Sequence, residues 1–122
     1  PNHPADVIEM ISNTKQGQPL YEKYHQRIRL SMKDLSPTQV SGGIRPSFQF
    51  GHPIDARGLT IRERCRIQSF PDDYNFVIRN EKKYVVSPSS GYKLVGNAVP
   101  PLLAYHIAKK IEHNWNYYFN KG

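Results

Sequence analysis

The sequence predicts a small α+β fold, rich in loops, with short antiparallel strands, one sharply capped helix and a second helix at its C-terminal end. Three observations predict it. The chain has 122 residues, enough for a single domain with a thin core. Apolar residues make up 38% of it, below the roughly 45–50% of ordinary globular domains. Ten prolines and eight glycines cut the helical and strand-like patterns into short pieces. A single cysteine, Cys65, excludes an internal disulfide framework and any multi-cysteine metal site, and fits a reducing compartment. No apolar run approaches the ~18 residues of a membrane span, and no secretory signal is read at the start. The first residue is Pro1 rather than Met, so the chain is expected to be part of a longer protein or a trimmed one. His3, His25, His52, His106 and His113 lack metal-ligand spacing, and no metal is expected.

Each element has a local reason. Residues 4–14 predict a helix, with Pro4 near its start and Val7, Ile8 and Ile11 on one face. Gly17 and Pro19 end it. Tyr21, Tyr24, Ile28, Leu30 and Met32 are spaced by three or four and then by two, which suggests a helix passing into a strand within 20–36. Over 37–58, Gln39-Val40 and Ser47-Phe48-Gln49-Phe50 are strand-like, separated by Gly42-Gly43 and punctuated by Pro46 and Pro53. Thr60-Ile61-Arg62-Glu63 fits a capping box, in which hydroxyl and carboxylate each accept the other residue's backbone N–H. It predicts a helix over 61–69, stopped at Pro71. Residues 75–79 and 83–87 predict a hairpin across 80–82. Residues 88–99, with Gly91 and Gly96, read as loop. The last helix starts at Pro100 or Pro101, where proline is tolerated, and runs to about 119. Its Leu103, Ile107 and Ile111 form an apolar stripe that needs something to pack on.

The net charge is +7, from seventeen Lys and Arg against ten Asp and Glu. A basic excess favours nucleic acid or another anionic partner. It concentrates in Arg27, Arg29, Lys33, Arg45, Arg57, Arg62, Arg64 and Arg66, faced there only by Asp34, Asp55 and Glu63. All but one of those cations are arginine, the side chain suited to phosphate forks and guanine edges.

Two stretches resemble one known family. They are Arg57-Gly58-Leu59-Thr60-Ile61-Arg62-Glu63-Arg64-Cys65-Arg66-Ile67-Gln68-Ser69-Phe70-Pro71-Asp72-Asp73-Tyr74, and Tyr92-Lys93-Leu94-Val95-Gly96-Asn97-Ala98-Val99-Pro100-Pro101 followed by Leu103, Ala104 and Ile107. In order and spacing they are similar to the ninth and tenth motifs of bacterial DNA cytosine-5 methyltransferases of the restriction–modification type. The resemblance covers about 35–112. It implies an N-terminal helix and variable recognition-region segment over 1–35. It implies a target-recognition region including the motif-nine helix over 36–95. Motif ten and a C-terminal helix over 96–122 would then complete the S-adenosylmethionine-dependent, Rossmann-like domain of the full enzyme. It further implies double-stranded DNA as partner, S-adenosylmethionine as cofactor in the complete enzyme only, and a cytoplasmic bacterial setting. The intact enzyme would flip a cytosine from the duplex and methylate its C5.

The family's glycine-rich cofactor loop, Pro-Cys nucleophile, Glu-Asn-Val segment and Gln-x-Arg-x-Arg segment do not occur in this chain. No catalytic residue is therefore expected here. The chain alone should be inactive, and the remaining catalytic portion of the methyltransferase is its expected partner, on the same chain or a separate one. Cys65 lies within the motif-nine helix on its apolar side and is read as a packing residue. The resemblance makes Thr38, Arg45, Gln49 and His52 the candidates for reading DNA, since Arg and Gln can pair with base edges in bidentate fashion. It makes Asn97 and Ala98 the candidates for lining the cofactor pocket. Thr60, Arg62, Glu63, Gly96 and Pro100 are expected to shape the motifs. Arg62 or Arg66 would tie the helix to the recognition loops, unless the arginines face DNA. Trp115, Tyr117, Tyr118 and Phe119 are read as a domain contact rather than a base-stacking platform.

Two other readings stand at this point. The chain could be the small subunit of a two-chain methyltransferase, or a free-standing basic nucleic-acid-binding module. The Leu103, Ile107 and Ile111 face separates them, because a free-standing module should not leave that stripe without a partner.

Overall fold

The computed structural model describes residues 3–41, 49–81 and 83–120. Among these residues, five helices and one small sheet follow in the order α1 Ala5–Asn13, α2 Ile61–Ile67, β1 Ile78–Arg79, β2 Tyr84–Val86, α3 Pro88–Asn97, α4 Pro101–His113 and α5 Trp115–Phe119. The class is α+β, with two short antiparallel strands. Gly42, Gly43, Arg45, Pro46, Ser47 and Phe48 lie outside the described residues.

α1 forms where its apolar spacing places it and buries Ile11 completely. Ile11 and Leu20 make one small core with Val7, Met10, Tyr21 and Ala56 around them. A second core joins Leu30, Phe50 and Leu59, with Ile28 against them. Single β-bridges link Pro19 to Ile28, Arg29 to Gly51, and Gly51 to Gly58. Gly51 lies between two neighbouring segments. The Leu30 N–H donates to its carbonyl and its own N–H donates to Ile28 O, at 2.9 and 3.0 Å. A Cβ on Gly51 would meet Ile11 Cγ2 at 3.4 Å, so this ladder passes close under α1.

The sequence suggests a helix at the start of 20–36, but none forms there. The Leu20 N–H donates to Arg27 O at 2.8 Å and the Arg27 N–H to Tyr24 O, folding 20–27 into a turn-bearing loop. The three- and four-residue spacing of Tyr21, Tyr24 and Ile28 reflects this loop. Tyr21 meets Tyr24 edge-on, and the Arg27 guanidinium sits 4.3 Å from the Tyr24 ring centre.

α3 occupies most of a stretch whose sequence reads as loop. Ser87 caps it by accepting the Ser90 N–H, and Pro88 opens its first turn. Its glycines are sites of close packing rather than chain breaks. A Cβ on Gly91 would stand 2.8 Å from Val77 Cγ2 and 3.2 Å from Ile61 Cδ1. A Cβ on Gly96 would collide with the backbone of Val40 and Ser41.

α2 ends at Ile67, two residues earlier than its pattern suggests. The Ser69 N–H donates to Arg66 O and the Phe70 N–H to Cys65 O, with Ser69 at φ 62°. This is the Schellman arrangement, with serine in the left-handed position that glycine usually takes. The hairpin is confirmed in shortened form, with Ile78 opposite Val86 and Arg79 opposite Tyr84. The terminal helix breaks at Asn114, whose side-chain amide donates to Lys110 O at 2.8 Å. Such a bond competes with the helical ladder. Neither α4 nor α5 buries a residue.

Candidate functional site

The site is organised by α2. Thr60 and Glu63 form the capping box: the Glu63 N–H donates to Thr60 Oγ1 at 3.2 Å and the Thr60 N–H to Glu63 Oε2 at 2.8 Å. Arg57 holds the same carboxylate with both arms of its guanidinium, at 2.9 and 2.8 Å. That fork and the Thr60 donors keep the Glu63 pKa at about 2, against the opposing effect of burial. Arg57 also donates to Asp55 at 3.1 Å.

The three arginines of α2 point to three different places. Arg62 donates to Tyr74 O at 2.9 Å and Asn75 Oδ1 at 2.8 Å, steadying the chain after Pro71. Arg66 makes an exposed double contact with Asp72, at 2.9 and 2.8 Å. Arg64 turns inward and is only 3% exposed. Its Nε donates to Gln39 Oε1 at 2.9 Å, and its Nη2 to Val40 O at 2.7 Å and Gln49 Oε1 at 3.0 Å. Burial pulls its pKa down. Arg64 is thus the α2 arginine that binds Gln39, Val40 and Gln49, whereas the sequence pointed to Arg62 or Arg66 for that task.

The sequence-predicted DNA candidates fall into two groups. Thr38 and Gln49 are together, with Gln49 Nε2 donating to Thr38 O at the long distance of 3.5 Å. His52 is elsewhere. Its Nδ1 accepts the N–H groups of Ile54 and Asp55 at 3.2 and 2.9 Å, and its Nε2 faces Glu63 Oε1 at 3.6 Å. Arg45 lies outside the described residues. Asn97 ends α3 with its side chain exposed, and Ala98 follows, half-buried. Gln68 pins this turn from α2, its Nε2 donating to Val95 O at 2.9 Å and Ala98 O at 3.2 Å. Pro100 caps α4 without a side-chain bond. That role passes to Ser69, whose hydroxyl accepts the Leu102 N–H at 3.1 Å.

Gln68 and Ser69 were not singled out from the sequence, and Arg64 was named there only within the basic cluster. A signal existed for Arg64 and Gln68. Ile61, Arg64, Cys65 and Gln68 share the i, i+3, i+4, i+7 face of α2, so the face that holds half-buried Ile61 and buried Cys65 carries Arg64 and Gln68 inward with it. Cys65 is 1% exposed, and burial pushes its thiol pKa up, which keeps it protonated and unreactive. A cavity of about 200 Å³ opens beside it, walled by Ile61, Arg62, Tyr74 and Phe76 among others. Among the described residues no group of three His, Cys, Asp or Glu is placed to hold a metal ion, and no helix is long and apolar enough to cross a membrane.

Comparison with known proteins identifies the family. Residues 3–113 match the family model of the C-5 cytosine-specific DNA methylases. The chain is 36% identical over 118 residues to the type II methyltransferase M.AquIB of a Picosynechococcus species, covering 89% of this chain and 81% of that protein. It is 35% identical over 126 residues to the type II methyltransferase M.DdeI of Desulfomicrobium norvegicum, covering 89% of this chain and 30% of that protein. A relative in Methanocaldococcus jannaschii is 32% identical over 108 residues, and the chain spans 32% of its length. No solved structure matches the chain. A match to the family model over residues 3–113, nearly the whole length, makes this chain a member of the C-5 cytosine-specific DNA methylase family.

Proposed function

We propose that the chain supplies target recognition and the C-terminal closing element of a DNA cytosine-5 methyltransferase, and that it is inactive alone. The observation that carries this reading is the seating of Val40 and Ser41 on Gly96. It brings three parts together: the segment expected to read DNA, the α2 helix, and the turn expected to line the cofactor pocket. Arg64 binds the first and Gln68 the last.

Thr38, Gln49 and Arg45 are the residues proposed to read bases. Gln49 gives its carbonyl oxygen to Arg64 and rests its amide on Thr38 O at 3.5 Å, and its other N–H would be the one offered to a base. We assign His52 to shaping the turn before Arg57, because its Nδ1 is committed to that turn's backbone. The net charge of +7 would draw the chain to phosphates, giving weak, salt-sensitive binding.

The exposed Asn97 side chain, on a turn pinned by Gln68, fits one polar wall of a nucleoside site. S-adenosylmethionine bound there in the complete enzyme would supply the methyl group. Asn97 and Ala98 would position it, while the nucleophile and most of the pocket come from the catalytic portion. The apolar α4 and α5 surface would dock on that portion, completing its Rossmann-like domain. Leu103, Ile107 and Ile111 are each about half exposed, at 52%, 51% and 47%, and this argues against a free-standing module.

Whether the catalytic portion belongs to the same chain or a separate one, the role is the same. The chain spans 81% of M.AquIB and about a third of the Methanocaldococcus jannaschii relative and of M.DdeI. An exchange tests the recognition role. The matching part of M.DdeI is replaced by this chain, and methylated sites are mapped. A new methylation site supports the reading, and methylation at the M.DdeI site contradicts it.

A further inference from the structure

We propose that the β1–β2 hairpin is a further DNA-contacting element, which holds the phosphate backbone of the duplex through Arg79 and Lys83, apart from the base-reading residues. The inference rests on the recognition reading above, which makes duplex DNA the partner. It concerns a stretch that neither motif accounts for, since the first ends at Tyr74 and the second begins at Tyr92.

The foot of the hairpin is fixed and its strands are bare. Val77 packs on Gly91 of α3, where a Cβ would stand 2.8 Å from Val77 Cγ2. The Phe76 ring meets Phe70 edge-on at 4.9 Å, and Arg62 holds Tyr74 O and the Asn75 side chain. Beyond that foot, β1 and the first two residues of β2 are exposed. Ile78, Tyr84 and Val85 are 51%, 48% and 63% exposed. A two-stranded ribbon open to water is marginally stable by itself, so one this bare gains from a partner.

The tip is preorganised. The Asn80 N–H donates to Lys83 O at 3.0 Å, and the Lys83 N–H donates to Asn80 Oδ1 at 2.9 Å. Arg79 stands opposite Tyr84, with its guanidinium carbon 5.4 Å from the ring centre, within the range of a cation–π contact. Such a contact limits where the guanidinium can go without consuming its N–H donors.

The chemistry of the tip selects phosphate. Among the described residues, neither the Arg79 nor the Lys83 side chain has an ion pair or a hydrogen bond. Both offer donors and no acceptor. Asn80, the amide that could have paired with a base edge, turns its oxygen to the backbone of its own turn. From Asn75 to Gly91 the sequence carries one acid, Glu81, against three cations. A duplex presents one negative charge per ~1.7 Å of its axis, and the family acts on DNA. An acidic protein surface is the competing partner, and the test separates the two.

The test measures binding of the full chain to a fluorescently labelled mixed-sequence duplex by anisotropy, from about 50 to about 200 mM salt. The variants are Arg79→Gln/Lys83→Gln, Glu81→Gln, and a control, Lys15→Gln/Lys23→Gln, which removes the same charge at two exposed positions elsewhere. All substitutions are on the surface, and circular dichroism checks the fold. The hairpin variant should bind roughly 10-fold more weakly or worse, with the slope of log affinity against log salt shallower by about 2, as expected for two lost phosphate contacts. An unrelated duplex should show the same loss, because phosphates carry no sequence information. Glu81→Gln should bind more tightly than the wild type. A hairpin variant that binds like the wild type, or a control that loses as much, overturns the inference. So does unchanged DNA binding with lost association with the catalytic portion on size exclusion, which would make the hairpin a protein contact. A wild-type chain that binds no duplex at the lowest salt is a different result: it fails the recognition reading itself, and the inference falls with it.

Discussion

Gly96 and Val40 are in direct backbone contact, with no room for a side-chain carbon between them. Gly96 lies inside α3, where replacing glycine by alanine ordinarily stabilises a helix by about 1 kcal/mol. Here the added carbon meets backbone rather than a flexible side chain, and the overlap outweighs that gain. Gly96→Ala is expected to destabilise the chain by about 1–3 kcal/mol net, read as a lower urea midpoint.

Ser69 ends one helix and caps another. Its backbone adopts φ 62°, which costs a non-glycine residue about 1 kcal/mol. Its hydroxyl accepts the Leu102 N–H at the start of α4, where a cap is worth about 1 kcal/mol. Ser69→Ala keeps the strain and loses the cap, so stability should fall by about 1 kcal/mol. Ser69→Gly relieves the strain and loses the cap, so it should be close to neutral. Thermal unfolding of the two variants separates these effects.

Acid should weaken the fold through Glu63. Its folded pKa of about 2 lies below the ordinary 4.5, so the unfolded chain binds its proton first. The stabilisation is full above about pH 5 and is lost as the pH falls from there toward 2. The pair is about a quarter exposed, and solvent screening reduces its contribution to about 1–2 kcal/mol. Urea unfolding from pH 7 to pH 2 should show this loss. Glu63→Gln should be less stable at pH 7 and show a shallower decline.

The terminal arm should matter for assembly and not for the fold of this chain. Trp115 and Phe119 stack on each other with ring centres 4.3 Å apart, but no residue of α5 is buried. A chain ending at Asn114 should unfold within about 0.5 kcal/mol of the full chain. Its association with the catalytic portion, followed by size-exclusion chromatography, should be weakened. A large loss of stability would show that the arm packs on this chain instead.

Elements dictated by local chemistry were legible. The capping box at Thr60 and Glu63, the proline start of α4 and the hairpin around Asn80 follow from bonds within a few residues. Elements decided by distant contacts were not. Gly91 and Gly96 read as loop because their purpose is the close approach of Val77 and Val40. The Tyr21, Tyr24 and Ile28 spacing looked helical because a loop closed by Leu20 and Arg27 can place side chains at the same intervals. At the site, the Thr60–Glu63 capping box was legible from local sequence. The distinct roles of Arg62, Arg64 and Arg66 were not, because adjacent charges in sequence diverge by about 100° per residue around a helix.

We propose that this chain completes a methyltransferase whose chemistry lies elsewhere. The most direct test is methyl transfer from labelled S-adenosylmethionine to cytosine in mixed-sequence duplex DNA. Three samples are compared: the chain alone, a catalytic portion carrying the missing motifs, and the two together. The account predicts incorporation in the mixture only. Incorporation by the chain alone, or a mixture no more active than the catalytic portion by itself, would contradict it.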